Sequence, residues 1–377
     1  GFYLFTLDAP LEPGKTVNVD WDMSRENRGF VNADRDYEIV ENGTFVESQH
    51  IAPIPGFDTD RFLSDDAWRK RFGLGPAEGL PALGDPGYLD VLRFGVDSHA
   101  EFRAVVSTSA DQIAVTSGEL QRDWVADGRR YFEYVMERPT WPSVPFTSAR
   151  YEVARDRWND VALEIYYDPK HSANIEAMLA TIKRTLDYTT TNFAPYPLSS
   201  FRIVEYPGYR SAAKACPGIA AYPELYGFIT DISDTHYLDY GTIHELAHQW
   251  WGGMAYGAKM QGRQMLNETL AQYTTLMVFK ENFGAEYAGQ VARQLHDNYL
   301  SRRKDETRSE HPLMYTDDQG NISYNKGPLA FYALVDAIGE DRVNQALRNY
   351  LDKFAFKDAP FPTSRDVVNE LRAVAGE

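Results

Sequence analysis

The segment His244-Glu245-Leu246-Ala247-His248 contains the residues whose types and spacing most clearly indicate chemistry. Residues four apart share a face of an α-helix, so the imidazoles of His244 and His248 can point at one ion. Zinc accepts two neutral imidazole nitrogens and a carboxylate, and it keeps a fourth position for water. Glu245 follows the first ligand, where its carboxylate can accept a proton from that water. Because the flanking residues are apolar, the segment predicts a buried catalytic zinc site rather than two solvated histidines.

A third protein ligand is expected from a following helix, and Glu268 is the candidate. Nineteen residues separate it from His248, which is enough to finish one helix, turn at a glycine-containing stretch and begin the next. The residues around Glu268 are largely apolar, so a surface charge explains it poorly. We therefore expect one zinc ion per chain, bound by His244, His248 and Glu268.

Three segments together resemble the aminopeptidase N family of zinc metallopeptidases, which belong to the gluzincins: residues 244–252, 266–268 and 324–327. The resemblance implies hydrolysis of a peptide substrate, with Glu245 as the catalytic base. It also implies that Tyr324, the first residue of a Tyr-x-Lys-Gly motif, stabilises the oxyanion of the transition state.

The chain departs from the family pattern at three points. The spacer between His248 and Glu268 is one residue longer than in the family, Met265 replaces a tryptophan, and Thr269 replaces a glycine. The resemblance covers residues 150–377 well and extends only loosely into the earlier part of the chain.

Two further stretches are similar to a bacterial subgroup in which this peptidase domain is fused to an ABC-transporter permease: residues 261–277 and Pro362–Asp366. That similarity implies a membrane-anchored parent chain with this region outside the cytoplasm; a cytoplasmic location is the alternative. Residues 1–5 contain neither a methionine nor a basic segment, so we interpret the chain as a soluble fragment.

Substrate contacts are expected on the strand before the zinc helix, where the family has a Glu that binds the substrate α-ammonium group. The best match is Gly218–Glu224. The alignment places Ala221 at the position of the anchoring Glu, and Glu224 can replace it only if the strand bends. We therefore expect Gly218, Ala221 and Glu224 at the substrate site of a weak aminopeptidase, with Glu47 as a second candidate anchor.

The elements that must position these residues fall into two regions, of which the first, residues 1–152, is predicted to be a β-rich domain. Alternating runs such as Val17–Trp21 and Arg130–Val135 favour strands, and Asn42-Gly43 is typical of a hairpin turn.

Residues 153–377 are predicted to form the catalytic domain. Strands are expected at Val161–Tyr167 and at Tyr226–Thr230, the latter as an edge strand that holds the substrate backbone, and a helix is expected over residues 172–190 with Ser172 as its N-cap. From Tyr240 to the end of the chain, the pattern is mostly helical. The predicted fold class is α+β, with a thermolysin-like domain of a mixed sheet and helices after the β-rich domain.

Composition limits the classes of function. The 55 acidic and 38 basic residues give a net charge of −17, which disfavours binding to nucleic acid or to an anionic membrane surface. The single cysteine, Cys216, excludes an intramolecular disulfide and a cysteine-based zinc site.

Two alternatives to an aminopeptidase remain open at this point. One is a zinc endopeptidase or oligopeptidase that cleaves without binding a free amino group. The other is a non-catalytic extracytoplasmic binding domain of an ABC transporter that retains zinc as a structural ion. Glu245 and Tyr324 argue against the second alternative, because a structural zinc site needs neither.

Overall fold

The computed structural model of the chain describes residues 4–26, 39–53, 63, 66–75, 78–91, 99–141, 143–208, 212–231, 237–304, 306 and 309–376. Two units are distinguished, residues 1–36 and residues 37–377. In the first unit, residues 4–26 contain no helix or strand. The predicted strand Val17–Trp21 is therefore wrong, because an alternating run needs a paired neighbour to form a stable strand and these residues supply none.

Two antiparallel sheets form the region before residue 152. The first has the order β1 (Ile39–Val40), β2 (Gly43–Glu47), β7 (Pro145–Ala149) and β4 (Ile113–Thr116). The second has the order β3 (Arg103–Ser109), β6 (Arg129–Val135) and β5 (Glu119–Ala126). Two short helices, α1 (Ser48–Ile51) and α2 (Asp66–Arg71), lie between β2 and β3 in the chain. The predicted hairpin at Asn42-Gly43 and the predicted strand at Arg130–Val135 are confirmed.

A mixed five-stranded sheet follows, in the order β11 (Lys214–Cys216), β12 (Ile219–Pro223), β10 (Ser200–Tyr206), β9 (Val161–Tyr167) and β8 (Glu152–Trp158). Strands β9, β10 and β12 run parallel to one another, and the edge strands β8 and β11 run antiparallel to their neighbours. The predicted strand at Val161–Tyr167 is confirmed.

The edge strand predicted at Tyr226–Thr230 is wrong, since these residues form turns and bends. Gly227 lies in the left-handed region with a φ of 116°, which interrupts an extended run. The amide of Tyr226 donates to the carbonyl of Pro223 (2.8 Å), which closes a turn directly after β12. The edge strand beside β12 is therefore β11.

The helical layer consists of α3 (Ile175–Asn192), α4 (Tyr237–Ala247), α5 (Leu270–Arg303), α6 (Gly327–Ile338), α7 (Glu340–Phe354) and α8 (Ser364–Ala375). Short 3₁₀ turns occur at Pro86–Tyr88 and Leu313–Tyr315. The predicted helix over residues 172–190 corresponds to α3, which begins after Asn174 rather than Ser172. Helix α5 bends at Gly284, where the backbone is not helical.

One large hydrophobic core joins the five-stranded sheet to these helices. Trp250 and Trp251, directly after α4, are fully buried in it. The indole N–H of Trp250 donates to the carbonyl of Ala194 (2.8 Å), and that of Trp251 donates to the hydroxyl of Thr274 (2.8 Å). The two tryptophans thus hold the end of α4 against the end of α3 and the body of α5.

The fold class is α+β, with a β-rich region followed by a sheet and helices, as the sequence predicts. The boundary at residues 152–153 stays a prediction. Side chains from both sides of it meet in one cluster, where Val115 packs with Tyr166 and Val204, and the Tyr151 hydroxyl donates to the carbonyl of Glu205 (2.7 Å). Within the described residues, no helix is both long enough and apolar enough to cross a membrane.

Candidate metal centre and substrate pocket

The two histidines lie on consecutive turns at the end of α4. His244 belongs to the helix, and His248 follows its last residue, Ala247. The amide of His248 still donates to the carbonyl of His244 (3.3 Å), so the helical spacing continues through both residues. The two Nε2 atoms lie 3.2 Å apart. The predicted pair on one helix face is therefore brought together.

Glu268 comes from the turn that leads into α5. Residues Met265–Thr269 form a π-helical turn, a feature often found at functional sites. The Oε2 atom of Glu268 lies 3.4 Å from Nε2 of His244 and 3.4 Å from Nε2 of His248. A tetrahedron whose corners lie about 2.0–2.1 Å from its centre has edges of about 3.3–3.4 Å. The three atoms therefore have the separations of zinc ligands.

The three side chains do not satisfy all of one another's hydrogen-bonding atoms. Glu268 Oε2 and His244 Nδ1 are buried, and neither has a hydrogen-bond partner within the part of the chain that the structure describes. A buried carboxylate oxygen without a partner is unfavourable unless a cation compensates for it. Two imidazoles and one carboxylate are the donor set of several catalytic zinc sites. The residues therefore fit a zinc ion.

Neighbouring groups orient these ligands. The Nδ1 atom of His248 lies 3.1 Å from the carbonyl oxygen of Trp251. In the neutral imidazole, that hydrogen bond places the proton on Nδ1 and leaves the lone pair of Nε2 for a metal. The side-chain amide of Asn267 donates to Oε1 of Glu268 (2.9 Å), so that Oε2 is the oxygen turned toward the histidines.

The electrostatic environment favours positive charge at this point. Burial acts to lower the pKa of His248, but the Glu268 carboxylate outweighs it and raises that pKa to about 9. Burial opposes ionisation of Glu268, and the two histidines nevertheless hold its pKa well below the usual range. Burial raises the pKa of Glu245, a shift that the histidines partly offset. A carboxylate with a raised pKa is a stronger proton acceptor than an exposed one.

A cavity of about 240 Å³ opens over this cluster. Its lining includes the three candidate ligands, Glu245 and Tyr324. Tyr324 belongs to a second π-helical turn, Ile322–Lys326, and its ring centroid lies 6.0 Å from that of His244. All five residues expected to bind the metal or act in catalysis are thus brought to one place.

The two π-helical turns contact each other directly. The hydroxyl of Thr269 donates to the carbonyl of Ser323 (2.7 Å). Gly327 makes room for Thr269, because a Cβ atom on Gly327 would lie 2.4 Å from the Thr269 hydroxyl oxygen. The threonine that replaces the family's glycine is therefore accommodated, and it links the turn of Glu268 to the turn of Tyr324.

The three residues expected to contact the substrate do not line the cavity. Gly218 lies in the turn between β11 and β12, and its amide donates to the Gln249 side chain (2.9 Å). Ala221 is fully buried in β12. Glu224 follows the end of β12, and one of its oxygens lies within 4.8 Å of ligand atoms of His171 and Glu205.

The strand that does line the cavity is β11, which the sequence reasoning missed. Its residue Ala215 lies beside Glu245, and the Ala215 amide acts to lower the pKa of that carboxyl. The dipeptide Pro217-Gly218 is a turn signal that could have located a strand on each side of it. Gln49 and Arg138 also line the cavity, and no local pattern in the sequence marks them.

The chain belongs to peptidase family M1. The profile of the Peptidase family M1 domain matches residues 177–376, which is more than half of the chain. This range includes the three candidate metal ligands, Glu245 and Tyr324. This match confirms the resemblance to the aminopeptidase N family at the level of the family.

Similar proteins carry aminopeptidase names. The chain is 27% identical over 205 residues to probable aminopeptidase 1 of Sulfurisphaera tokodaii, a match covering 52% of the chain and 26% of that protein. It is 26% identical over 211 residues to human endoplasmic reticulum aminopeptidase 2, a match covering 53% of the chain and 22% of that protein. It is 28% identical over 196 residues to human aminopeptidase N, a match covering 47% of the chain and 20% of that protein. The matches thus span about a quarter or less of these relatives.

Proposed function

We propose that this chain is a zinc-dependent peptidase. The observation that carries the proposal is the triangle of His244 Nε2, His248 Nε2 and Glu268 Oε2, with sides of 3.2–3.4 Å, in the wall of a pocket. A zinc ion bound there would polarise the scissile carbonyl group and acidify a water molecule.

The other two residues supply proton transfer and hydrogen bonding. Glu245 would accept the proton of the attacking water and pass it to the leaving amine. Its burial suits the first of these steps, because a raised pKa makes the carboxylate a better proton acceptor than an exposed glutamate. Tyr324 is 38% exposed and lines the pocket, and its hydroxyl would donate to the oxyanion of the tetrahedral transition state.

Edge strand β11 offers a way to hold the substrate backbone. It pairs with β12 on one side, and its residues line the pocket on the other. An extended peptide can add to such an edge through main-chain hydrogen bonds. We propose that β11 has the role that the sequence assigned to Tyr226–Thr230.

We further propose that the reaction removes N-terminal residues, because the relatives named above are called aminopeptidases. One observation favours cleavage without a free amino group as a second candidate. The carboxylates among the described lining residues are Glu245 and Glu268, and both belong to the metal centre. Glu47 carries an ion pair with Lys214, and Glu224 lies outside the lining. A separate anchor for an α-ammonium group is thus missing from the described lining.

A pair of substrates distinguishes these candidates. Purified protein with one equivalent of zinc would be incubated with a free peptide and with its N-acetylated form, and the products identified by mass spectrometry. Release of the first residue from the free peptide alone supports an aminopeptidase. Equal cleavage of both forms supports an endopeptidase, and cleavage of neither by fully zinc-loaded protein contradicts the proposal.

The permease fusion and the membrane-anchored parent rest on sequence similarity alone, and we retain them as a proposal about the full-length protein. The names of the three relatives reported above contain nothing about a transporter. Determining the complete reading frame tests this proposal directly, because a permease must supply several apolar helices of about 20 residues.

A further inference from the structure

Outside the metal centre, the described lining of the pocket contains one arginine, Arg138, and one lysine, Lys214. Lys214 is neutralised, because its ammonium group forms an ion pair with the buried carboxylate of Glu47. The side-chain amide of Gln49 donates to the same carboxylate (2.5 Å). Lys214 is thus part of a closed network in the pocket wall.

Arg138 is in a different situation. Its guanidinium group stacks over the ring of Phe356, with 4.4 Å between the central carbon and the ring centroid. Within the described residues, no carboxylate lies within ion-pair distance of it. A guanidinium group on an aromatic face keeps its N–H donors at its edges, where they can bind a planar anion.

Phe356 is held in place at a conformational cost. It has a φ of 55°, a left-handed conformation that is uncommon for an aromatic residue. Its amide donates to the carbonyl of Met254 (2.7 Å), which secures the backbone next to the pocket. Strained residues of this kind persist where the surrounding structure over-determines them, often at ligand sites. The ring beneath Arg138 is therefore positioned by the fold.

The charges of the pocket are separated. Among the described lining residues, the carboxylates Glu245 and Glu268 are at the metal centre, and Arg138 is a cation with no described carboxylate at ion-pair distance. In a chain of net charge −17, acidic groups are abundant, yet none of the described ones neutralises this guanidinium. An unneutralised, pre-positioned guanidinium group in a substrate pocket has the chemistry of a carboxylate receptor.

We infer that Arg138 binds a carboxylate of the peptide substrate. This inference rests on the proposed function, since it assumes that the pocket receives peptides. The carboxylate belongs either to an acidic side chain near the cleaved bond or to the C-terminus of a short peptide. The substrate class is therefore acidic peptides or short peptides with a free α-carboxyl group.

Two matched pairs of peptides test the inference and separate its two sources. Ala-Ala-Glu-Ala-amide against Ala-Ala-Gln-Ala-amide reports on the side chain, and Ala-Ala-Ala-Ala with a free acid against its amide reports on the C-terminus. We expect kcat/KM to favour the carboxylate member of at least one pair by about tenfold, mainly through KM, as for a hydrogen bond to a charged group.

Substitutions assign the preference to Arg138. Arg138→Gln should reduce the preference to about twofold or less, and Arg138→Lys should leave an intermediate value because it keeps the charge and loses the planar fork. Arg342→Gln is the matched control: it removes the same charge from an exposed position on α7 outside the pocket lining, and it should retain the full preference.

Binding measurements test the inference about Arg138 without requiring hydrolysis of the peptides. Affinities of the four peptides for Glu245→Gln protein, with and without Arg138→Gln, would be measured by calorimetry. A preference that depends on Arg138 supports the inference even if no peptide is hydrolysed, in which case the proposed function alone fails. Equal affinities for both members of each pair, or a preference that survives Arg138→Gln, overturn the inference.

Discussion

Among the residues that the structure describes, two groups of histidine and glutamate could each hold a metal ion by proximity alone: His244, His248 and Glu268 in one, and His171, Glu205 and Glu224 in the other. Within each group the ligand atoms lie within 4.8 Å of one another. The first group comes from the end of α4 and the turn before α5. The second comes from segments at the ends of the parallel strands β9, β10 and β12.

The groups differ in how their polar atoms are satisfied. In the second, Nδ1 of His171 lies 2.5 Å from Oε1 of Glu205, and the amide of Asp168 donates to Oε2 of the same residue (2.6 Å). Glu205 is buried, and both of its oxygens have partners. In the first group, His244 Nδ1 and Glu268 Oε2 are buried, and among the described residues neither has a hydrogen-bond partner. In both groups the ligand atoms lie close together. The candidate metal centre is distinguished by buried polar atoms whose hydrogen-bonding capacity is not met.

The largest expected effect is loss of the metal. The double substitution His244→Ala and His248→Ala removes two of three ligands, so we expect bound zinc to fall from one per chain to less than about a tenth, and hydrolysis to fall to background. Elemental analysis after gel filtration measures this. His171→Ala is the control, and loss of zinc from that variant would show that the second group also binds metal.

A second large effect separates chemistry from metal binding. Glu245→Gln cannot accept a proton, so kcat should fall by about 10²–10⁴-fold while one zinc per chain remains. Stopped assays with elemental analysis on the same samples check both quantities. Activity equal to wild type would exclude Glu245 as the base.

A smaller loss is expected at the second π-helical turn. Tyr324→Phe removes the phenolic donor and keeps the ring, so kcat should fall about 10²–10³-fold with little change in KM, because the hydrogen bond strengthens in the transition state. Steady-state kinetics gives the two constants separately. A rise in KM at constant kcat would instead assign Tyr324 to substrate binding.

The second group should respond in stability rather than in activity. His171→Ala leaves the buried Glu205 carboxylate without its imidazole partner, which should lower the free energy of unfolding by about 1–3 kcal/mol. Urea denaturation followed by tryptophan fluorescence measures the change. A neutral result would mean that solvent replaces the imidazole at no cost.

The smallest effect is expected at Glu224. Because this residue does not line the pocket, Glu224→Ala should change KM for peptides with a free amino group by less than about twofold. The expectation from sequence is the opposite, a selective rise in KM for those peptides. Comparing free and N-acetylated peptides on this variant decides between the two.

The metal centre could be predicted from sequence because its spacing is local. The helical period brings His244 and His248 together, and the only longer step, to Glu268, crosses a single helix connection. The pocket wall could not be predicted in the same way. Arg138 and Phe356 are more than two hundred positions apart, and they meet only because the β-rich region and the helical layer pack together. The strand prediction at Tyr226–Thr230 is wrong because it relies on the apolar residues of this run. The left-handed backbone of Gly227 ends the extended conformation there.

The π-helical turn that contains Glu268 has a consequence for the length of the connection between His248 and Glu268. A π-helical turn closes its hydrogen bonds five residues back, one more than an α-helix, and so it can absorb one extra residue without rotating the helix that follows. The spacer between His248 and Glu268 is one residue longer than the family pattern. The extra residue is therefore compatible with a metal centre in which Glu268 Oε2 still lies 3.4 Å from both imidazole Nε2 atoms.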